Sequence, residues 1–294
     1  MSIPANICPA ADTTAHDPLY TFFLRQNGKI VEAFALTLAT ENDDQACALS
    51  ETAMSQVFAA ENRCCLAFMP CLLELEQGKY IEAGSSVAEQ SGLENHLIAS
   101  VLAPSLVYFD WTCVNDLAGV VVDIPAAGDS AGIFLNKANG LDTVQSAVTA
   151  IFVMSREQWS SSGYFTLLAG FAVITGNYAE DNGFYSVSVD GAPEGGEHLW
   201  RDVIDPESFD DAAVHCLRLD TVSGKFSYRI NGWEVFSATF VGYAHPDPTM
   251  AVHLPAGTTS AVTFRFGDFY LFNTYLDDAT AQAIEAALIV KYAL

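Results

Sequence analysis

Basic residues are scarce in this sequence. Lysine and arginine together number 12, against 36 aspartate and glutamate residues, which gives a formal net charge of −24 at pH 7. A surface with this charge repels the phosphate backbone of nucleic acids and the anionic face of a membrane, so neither is an expected partner. The charge suits solubility in salty surroundings, and a general acidic bias of the source proteome explains it equally well.

Long apolar runs and a secretory signal are also missing. No run approaches the roughly 18 residues that a membrane-spanning helix needs. The longest candidates, residues 146–154 and 167–175, have the length of buried strands. The opening residues MSIPANICPAADTT have neither a basic start nor an apolar stretch. We therefore expect no membrane insertion and folding in the cytoplasm.

The seven cysteines match no disulfide or metal motif. Their odd number, their irregular spacing and the missing signal argue against a disulfide framework. Cys64, Cys65 and Cys71 are close in sequence, but they form no C-x-x-C pair and no nearby histidine completes a tetrahedral zinc site. We interpret the cysteines as small apolar residues of the core.

The common catalytic arrangements are absent as well. Glycan-cleaving enzymes of the sandwich type need two or three carboxylates on one face of a strand. Glu74 and Glu76 have no third acid beside them, and residues 207–211 follow Pro206, which favours a loop. The six histidines are scattered, and no serine lies in a G-x-S-x-G turn. The sequence favours a non-catalytic protein, with carboxylates converging from separate strands as the alternative.

What the sequence does contain is a large apolar content arranged in short segments. Hydrophobic residues make up 51% of the 294 positions. Asn27-Gly28 and Asn231-Gly232 each separate two runs with the period of strands, and this residue pair is typical of tight hairpins. Trp233 directly follows the second turn and is expected to pack across its hairpin. Further strand-like segments cover residues 120–124, 147–154, 164–175, 184–190 and 214–219. Such spacing predicts an antiparallel sandwich.

Residues 267–294 predict a strand followed by a helix. Apolar residues alternate over residues 268–275, although Phe272 breaks the period, and from Ala279 the apolar spacing becomes helical. Asp277 is well placed as the N-cap of this helix, and Lys291 lies in its last turn, where a cation is favoured.

Particular residues in these segments form a wider pattern. A Gly-Asp strand leads into a helix with the pattern I-E-x-x-L-x-x-K-Y, from Gly267, Asp268, Ile284, Glu285, Leu288, Lys291 and Tyr292. Residues 150–153 (AIFV), 187–191 (VSVDG) and 229–232 (RING) precede it. In this order the segments resemble concanavalin A-like (laminin-G-like) jelly-roll modules. The resemblance covers roughly the last two-thirds of the chain and implies a mainly β fold, an antiparallel β-sandwich (jelly roll) with a C-terminal helix. The hairpin signals before it predict a small β-rich N-terminal domain.

The composition changes near residue 95. Residues 82–95 are small, polar and acidic, as in a linker, and all four tryptophans lie after residue 100. We predict an N-terminal β-rich anchoring or assembly domain at residues 1–95 and a concanavalin A-like jelly-roll domain at residues 96–294. In the first domain, residues 43–61 are rich in alanine, as in a short helix. Residues 65–76 and 80–82 flank a predicted turn at Gln77-Gly78-Lys79.

Sugar binding needs an exposed aromatic ring beside fixed polar groups. Trp200, between His198 and Arg201 in an acidic loop, is the first candidate for a glycan platform. Trp159, in a polar loop, is the second. The alternative for each tryptophan is a ring that covers the edge of the core.

A calcium site is a further candidate. Asp181 and Asn182 lie in a loop of the kind that binds Ca²⁺ in sandwich lectins, because a hard cation needs several oxygen ligands. Ordinary turn formation explains the same residues and is the favoured interpretation. We therefore expect no resident cofactor, with Ca²⁺ at this loop as the alternative.

These observations lead to the hypothesis of a non-catalytic virion structural protein, a decoration, fibre, tail or head attachment component whose jelly roll binds surface glycans. The resemblance implies this role, because such modules occur in phage attachment proteins behind a small anchoring domain. We expect a homotrimer that assembles in the host cytoplasm and contacts other virion proteins through its N-terminal domain. The alternatives are a free carbohydrate-binding, lectin-like protein and, less favoured, a glycan-cleaving enzyme.

Overall fold

The computed structural model describes residues 20–26, 29–36, 49–72, 76–87, 91, 95, 97–101, 106–125, 131–135, 147–157, 163–166, 172–178, 184–189, 198–200, 212–220, 222–240, 252–254, 257–258 and 262–294. In chain order its strands are β1 (Tyr20–Gln26), β2 (Lys29–Leu36), β3 (Cys64–Phe68), β4 (Ser86–Val87), β5 (Leu97–Val101), β6 (Leu106–Val114), β7 (Leu117–Ile124), β8 (Ala131–Leu135), β9 (Ala147–Glu157), β10 (Gly163–Thr166), β11 (Ala172–Tyr178), β12 (Phe184–Val189), β13 (His198–Trp200), β14 (Ala213–Asp220), β15 (Lys225–Ile230), β16 (Trp233–Thr239), β17 (Val252–Leu254), β18 (Gly257–Thr258) and β19 (Val262–Phe272). Two α-helices, α1 (Glu51–Val57) and α2 (Asp278–Tyr292), and a 3-10 turn, Pro70–Leu72, complete the described elements.

The described strands form four antiparallel sheets. The largest has eight strands in the order β16-β15-β14-β9-β19-β7-β6, with β3 also paired to β19. A second sheet has the order β13-β12-β11-β10-β18, a third has the order β17-β8-β5-β4, and β1 and β2 form a hairpin. Strand β8 of the third sheet contacts β6 and β7 of the largest one. The predicted mainly β fold, an antiparallel sandwich with a C-terminal helix, is confirmed.

β19 lies at the centre of the largest sheet. One edge pairs with β9, and the other edge pairs first with β7 and then with β3. The register against β9 shifts at Gly267 and Asp268, where the partner on the other edge changes. Residues 269–272 are all buried, because both faces of the sheet are covered at this point. This two-sided burial explains why Phe272 breaks the alternation in the sequence.

Helices α1 and α2 cover one face of this sheet. The predicted N-cap of α2 is confirmed, because the Asp277 carboxylate accepts a hydrogen bond from the Thr280 amide at 2.8 Å. The buried side chains of α2 and α1 join those of the strands in one core, which includes Met54, Val57, Val121, Ile151, Val153, Val214, Cys216, Tyr270, Ile284, Leu288 and Tyr292. Burial of this apolar face holds the helices against the sheet.

A buried carboxylate on β19 fastens the end of α2 to the sheet. Asp268 is fully buried and accepts hydrogen bonds from Lys291 Nζ at 2.8 and 2.9 Å. The hydroxyls of Tyr270 and Tyr292 also donate to this carboxylate, each at 2.8 Å. A Cβ atom on Gly267 would lie 2.6 Å from Tyr292 Oη, so the neighbouring position has room only for glycine.

A second buried ion pair joins α2 to the hairpin of β15 and β16. Arg229 Nε donates to Glu285 Oε2 at 2.8 Å, and the Arg229 guanidinium also donates to the Gly232 carbonyl. Asn231 and Gly232 have φ values of 47° and 81°, as an Asn-Gly turn requires. The Asn231 side chain accepts a hydrogen bond from the Val214 amide at 2.8 Å. The residues behind the family resemblance therefore attach the helix and the hairpin to the sheet.

The predicted local pairings are partly right. Both Asn-Gly hairpins are confirmed, as β1 with β2 and as β15 with β16, and the helix expected in residues 43–61 is α1. The turn predicted at Gln77-Gly78-Lys79 is present, because the Lys79 amide donates to the Glu76 carbonyl at 3.0 Å, but its flanking segments do not pair with each other: β3 pairs with β19, and residues 78–81 run beside β6. The strand predicted over residues 164–175 is two paired strands, β10 and β11. Strand periodicity shows that a segment is extended but not which strand it pairs with.

Part of the stretch expected to be a linker is built into the sheets. Residues 82–95 include β4, which pairs with β5. Ser91 and Asn95 are buried, and their side chains donate to the Cys65 carbonyl at 3.0 and 2.7 Å. β3 belongs to the first predicted domain, yet it pairs with β19 in the largest sheet. The division into domains at 1–95 and 96–294 stays a prediction.

Most of the described cysteines have the predicted role in the core. Cys64, Cys65, Cys113 and Cys216 are buried thiols. Cys71 is disulfide-bonded, so the inference against disulfides is wrong at this residue. An odd count and irregular spacing do not prevent a single pair, which needs only that two Cβ atoms meet in the fold.

Within the described residues, no helix has both the length and the apolar character needed to cross a membrane.

Candidate functional site

The structure describes only two of the six residues that the sequence predicts for the glycan platform and the calcium site. His198 and Trp200 lie in β13, an edge strand whose partners on β12 are Val187 and Tyr185, so the acidic loop expected at this point is a strand. Trp159, Arg201, Asp181 and Asn182 lie outside the described residues. The roles assigned to all six stay predictions. In the part of the chain that the structure describes, no group of three or more His, Cys, Asp and Glu residues could hold a metal ion.

Another surface combines exposed tyrosine with fixed polar groups. It lies at the β6 end of the largest sheet, and we call it the β6 patch, made of Gln77, Tyr80, Tyr108, Asp110, Thr112, Asp123, Thr263 and Arg265. Four adjacent extended segments contribute to it, residues 76–82, β6, β7 and β19. Gly78 donates to the Phe109 carbonyl at 2.9 Å, and Ile81 donates to the Val107 carbonyl at 2.8 Å. Residues 76–82 therefore extend the sheet by one further segment.

The pairing register brings the members of the patch to one face. Tyr80 is opposite Tyr108, Tyr108 is opposite Val121, and Val121 is opposite Arg265. Residues directly opposite each other in neighbouring strands point to the same face of a sheet. A tyrosine pair and an arginine that are far apart in sequence thus share one face of the sheet, with the fully buried Val121 between Tyr108 and Arg265.

The aromatic part of the patch is the pair Tyr80 and Tyr108. Their ring centroids are 5.9 Å apart at an interplanar angle of 69°, an edge-to-face arrangement. Tyr80 is 61% exposed, whereas Tyr108 is half-buried against the core. Burial raises the pKa of Tyr108, opposed by the nearby charge of Arg265 and supported by the carboxylates of Asp123 and Asp110. Its hydroxyl therefore stays protonated and can donate a hydrogen bond.

The polar part of the patch centres on Asp110. Its Oδ1 accepts hydrogen bonds from Gln77 Nε2 at 2.9 Å, from the Thr112 amide at 2.9 Å and from Thr112 Oγ1 at 3.0 Å. Gln77 Oε1 in turn accepts from the Trp111 amide at 2.6 Å. The pairing of β6 with β7 shifts in register between Asp110 and Val114, so Thr112 lies in an irregular part of the strand. The carboxylate is therefore fixed in position before any ligand arrives.

The guanidinium of Arg265 lies between the polar groups of the patch. Its NH1 is 3.4 Å from Asp110 Oδ2 and 3.4 Å from the Cys113 carbonyl oxygen, so both contacts are long. Nearby, Thr263 Oγ1 donates to Asp123 Oδ1 at 2.9 Å. Burial by itself raises the pKa of Asp110, but hydrogen bonds from Gln77 and Thr112 and the charge of Arg265 lower it overall. Asp110 is thus ionised at neutral pH.

The chemistry of the patch favours binding over acid–base catalysis. A general acid or base works best with a pKa near the working pH. The pKa of the Asp110 carboxyl is lowered and that of the Tyr108 hydroxyl is raised, which moves both groups away from neutrality. An exposed ring beside fixed donors and acceptors matches the needs of a polyhydroxylated ligand.

The buried histidine of the described core is not suited to catalysis either. The His215 ring stacks between those of Phe152 and Tyr228, with centroid distances of 5.1 and 6.1 Å. Its Nδ1 is 2.8 Å from Tyr228 Oη. Burial lowers the pKa of His215 to about 3, so this side chain is a neutral part of the core at physiological pH.

Trp233 is a second exposed aromatic residue, on the opposite edge of the sheet from the β6 patch. It is 79% exposed, so the expected packing across its hairpin is wrong. The turn that precedes it is tied down by Arg229 and Asn231, which leaves the indole ring projecting from the hairpin end. Because no fixed array of polar groups like that around Asp110 is described beside this ring, it is the weaker candidate.

Sequence reasoning missed the β6 patch because its members come from four separate segments. Each residue alone resembles an ordinary surface residue. The available signal was the alternation in Leu106–Val114 (LVYFDWTCV), which places Tyr108 and Asp110 on one face. Their proximity to Arg265 depends on β7 lying between β6 and β19, and this order is a property of the whole sheet.

Comparisons with known proteins identify the fold and no closer relationship. No protein-family model matches the chain, and no curated protein matches it. Similar solved structures include one of botulinum neurotoxin type C, which depends on interaction with two ganglioside molecules to enter cells (12% identity, TM-score 0.52, 80% of this chain and 53% of that chain). Another is the binding domain of botulinum neurotoxin DC in complex with SialylT (12% identity, TM-score 0.53, 77% of this chain and 52% of that chain). A third is the same binding domain in complex with rat synaptotagmin II (12% identity, TM-score 0.51, 76% of this chain and 52% of that chain). The chain thus spans about half the length of these toxin chains, and the likeness shows a shared β-sandwich fold.

Proposed function

We propose that this protein is a non-catalytic glycan-binding protein whose β6 patch contacts the sugar. The observation that carries the proposal is the exposed Tyr80 ring, braced by Tyr108, beside the fixed Asp110 carboxylate and the Arg265 guanidinium. A tyrosine face packs against the apolar face of a pyranose ring, and charged groups held in position bind its hydroxyls. The patch combines both requirements on one surface.

The similar toxin structures support a binding role by analogy of fold alone. One of them is a complex with SialylT and another concerns ganglioside molecules. Since the chain spans about half of those toxin chains, their ligands need not be bound by the shared half. Function resides in particular sites and not in a fold, so the β6 patch has to be tested directly.

The narrower role in this proposal is that of a virion structural protein, a decoration, fibre, tail or head attachment component. It includes a homotrimer, assembly in the host cytoplasm, and contact with other virion proteins through residues 1–95. The resemblance to jelly-roll attachment modules supports this narrower role. A free lectin-like protein is the alternative, and native mass spectrometry separates the two, because an attachment component is expected as a trimer and a free lectin as a monomer.

The test is glycan-array binding of the full chain followed by titration calorimetry with the best ligand. We expect Tyr80→Ala to weaken binding about two- to twelvefold, since an aromatic contact contributes about 0.5–1.5 kcal/mol. Tyr80 is exposed, so this change should leave the thermal unfolding midpoint unaltered. Trp233→Ala is the matched control, because it removes an exposed aromatic ring from the opposite edge of the same sheet.

The outcomes separate the proposed site from the proposed function. Loss of binding in Tyr80→Ala but not in Trp233→Ala supports both. If only Trp233→Ala lost glycan binding, the proposed function would stand, and the binding site would lie at Trp233 instead of the β6 patch. An array without any bound glycan would overturn the function itself, and shortened oligosaccharides in the mixture would identify an enzyme.

A further inference from the structure

The charges around the β6 patch restrict the kind of sugar it accepts. This inference rests on the proposed function, because it names the ligand class for the same site. We propose that the patch binds a neutral sugar and disfavours sugars that carry a carboxylate or sulfate. The argument depends on the number of charges, their existing partners and the hydrogen-bonding needs of the two ligand types.

Carboxylates outnumber cations on this surface. Asp110 and Asp123 lie on the patch itself, and Glu76 and Glu82 are exposed on the segment that borders it. The cations of the same region are Arg265 and Lys79. The whole chain adds a net charge of −24, so no long-range field attracts an anion.

The cation that belongs to the patch, Arg265, is already engaged. Arg265 NH1 contacts both the Asp110 carboxylate and the Cys113 carbonyl oxygen. A ligand carboxylate at this guanidinium would lie close to Asp110, whose pKa is lowered and which stays ionised. Two carboxylates at one guanidinium repel each other, and this reduces the gain from binding an anionic sugar.

Sugar hydroxyls suit the same groups better. Asp110 and Asp123 already accept hydrogen bonds from Gln77, Thr112 and Thr263, and a carboxylate can only accept further ones, so a ligand group suits them only if it donates, as a hydroxyl does. The same hydroxyl accepts from Arg265 or from the Tyr108 hydroxyl, which stays protonated because its pKa is raised. The hydroxyls of a neutral pyranose can therefore donate to the carboxylates of the patch and accept from Arg265 and Tyr108, whereas a carboxylate or sulfate can only accept.

The experiment is a glycan array printed with matched pairs, each neutral oligosaccharide beside its sialylated or sulfated form. At low salt we expect the acidic member to bind about fivefold more weakly than its neutral partner, as one repulsive charge at short range implies. Higher salt should narrow this ratio, because the repulsion is screened. Acidic members that bind as tightly as their neutral partners, or more tightly, would overturn the inference and leave glycan binding intact.

Two charge-neutralising variants locate the effect. Asp123→Asn keeps an oxygen that can accept from Thr263, and it should bring the acidic members closer to their neutral partners. Glu234→Gln removes one negative charge from β16, at the far edge of the sheet, and should leave the ratio unchanged. An equal response in both variants would assign the preference to net charge instead of the patch. Absence of binding to every pair would overturn the proposed function together with this inference.

Discussion

Asp268 shows how much one buried residue can depend on its partners. Its carboxylate joins β19 to α2 through Lys291, Tyr270 and Tyr292. The Lys291 side chain is itself only 1% exposed, so its charge has almost no contact with water. In such a pair the loss of one partner leaves the other charge buried without compensation.

We therefore expect Asp268→Asn to lower the free energy of unfolding by about 3–5 kcal/mol. Urea unfolding followed by circular dichroism measures this change. Lys291→Met in the same background should restore part of the loss, because the stranded charge is then gone. Glu82→Gln removes an exposed carboxylate and serves as the control, with an expected effect within about 0.5 kcal/mol. A small effect of Asp268→Asn alone would contradict the importance of this pair.

At the scale of elements, α2 depends on its N-cap. The backbone amide of Thr280 donates to Asp277, and this hydrogen bond lowers the pKa of Asp277 below its ordinary value of 3.8. The folded state therefore binds the Asp277 proton less readily than the unfolded state. The resulting stabilisation is fully present above pH 3.8 and is lost as the pH falls through the lower pKa of the folded state.

Two substitutions separate the cap from its charge. Asp277→Ala should destabilise the protein by about 1 kcal/mol at neutral pH, because the helix loses its capping acceptor. Asp277→Asn keeps an acceptor and should lose less, without the pH-dependent part. Urea unfolding from about pH 7 to about pH 2 should show wild type and Asp277→Asn converging as the pH falls. A difference that stays constant over this range would exclude the charge of Asp277 as its source.

The elements that sequence reasoning predicted well are those fixed by local signals. The turn at Asn231-Gly232 needs two positive φ values, which that residue pair adopts at little cost, and the cap at Asp277 is equally local. β3 could not be placed in the same way. Its partner β19 lies almost at the other end of the chain, and an extended segment carries no mark of its distant neighbour.

The candidate site was harder to predict than the fold for a related reason. Trp200 and Trp159 were predicted as a platform because ring type and local polarity can be read from the sequence. The β6 patch instead depends on Tyr80, Asp110 and Arg265 meeting through strand order. Strand order follows from packing of the whole sheet, so the site could be found only with the fold in hand.

At the scale of the whole molecule, net charge sets the response to salt. A net charge of −24 produces self-repulsion that opposes the compact state. Raising the sodium chloride concentration from about 10 mM to about 1 M shortens the screening length from about 30 Å to about 3 Å. We expect the thermal unfolding midpoint to rise over this range, as measured by scanning calorimetry. Potassium chloride should act equally, and a midpoint that falls with both salts would show that attractive ion pairs outweigh the repulsion.

The position of β19 along the chain also affects how the protein is made. A ribosome releases β3, β7 and β9 before it has synthesised the strand that all three flank. Until residues 262–272 emerge, the two halves of the sheet have open edges beside apolar surface, which favours mispairing with other nascent chains. The largest sheet therefore closes only after residues 262–272 have been synthesised, and we expect chaperones that hold extended chains to raise the yield of folded protein.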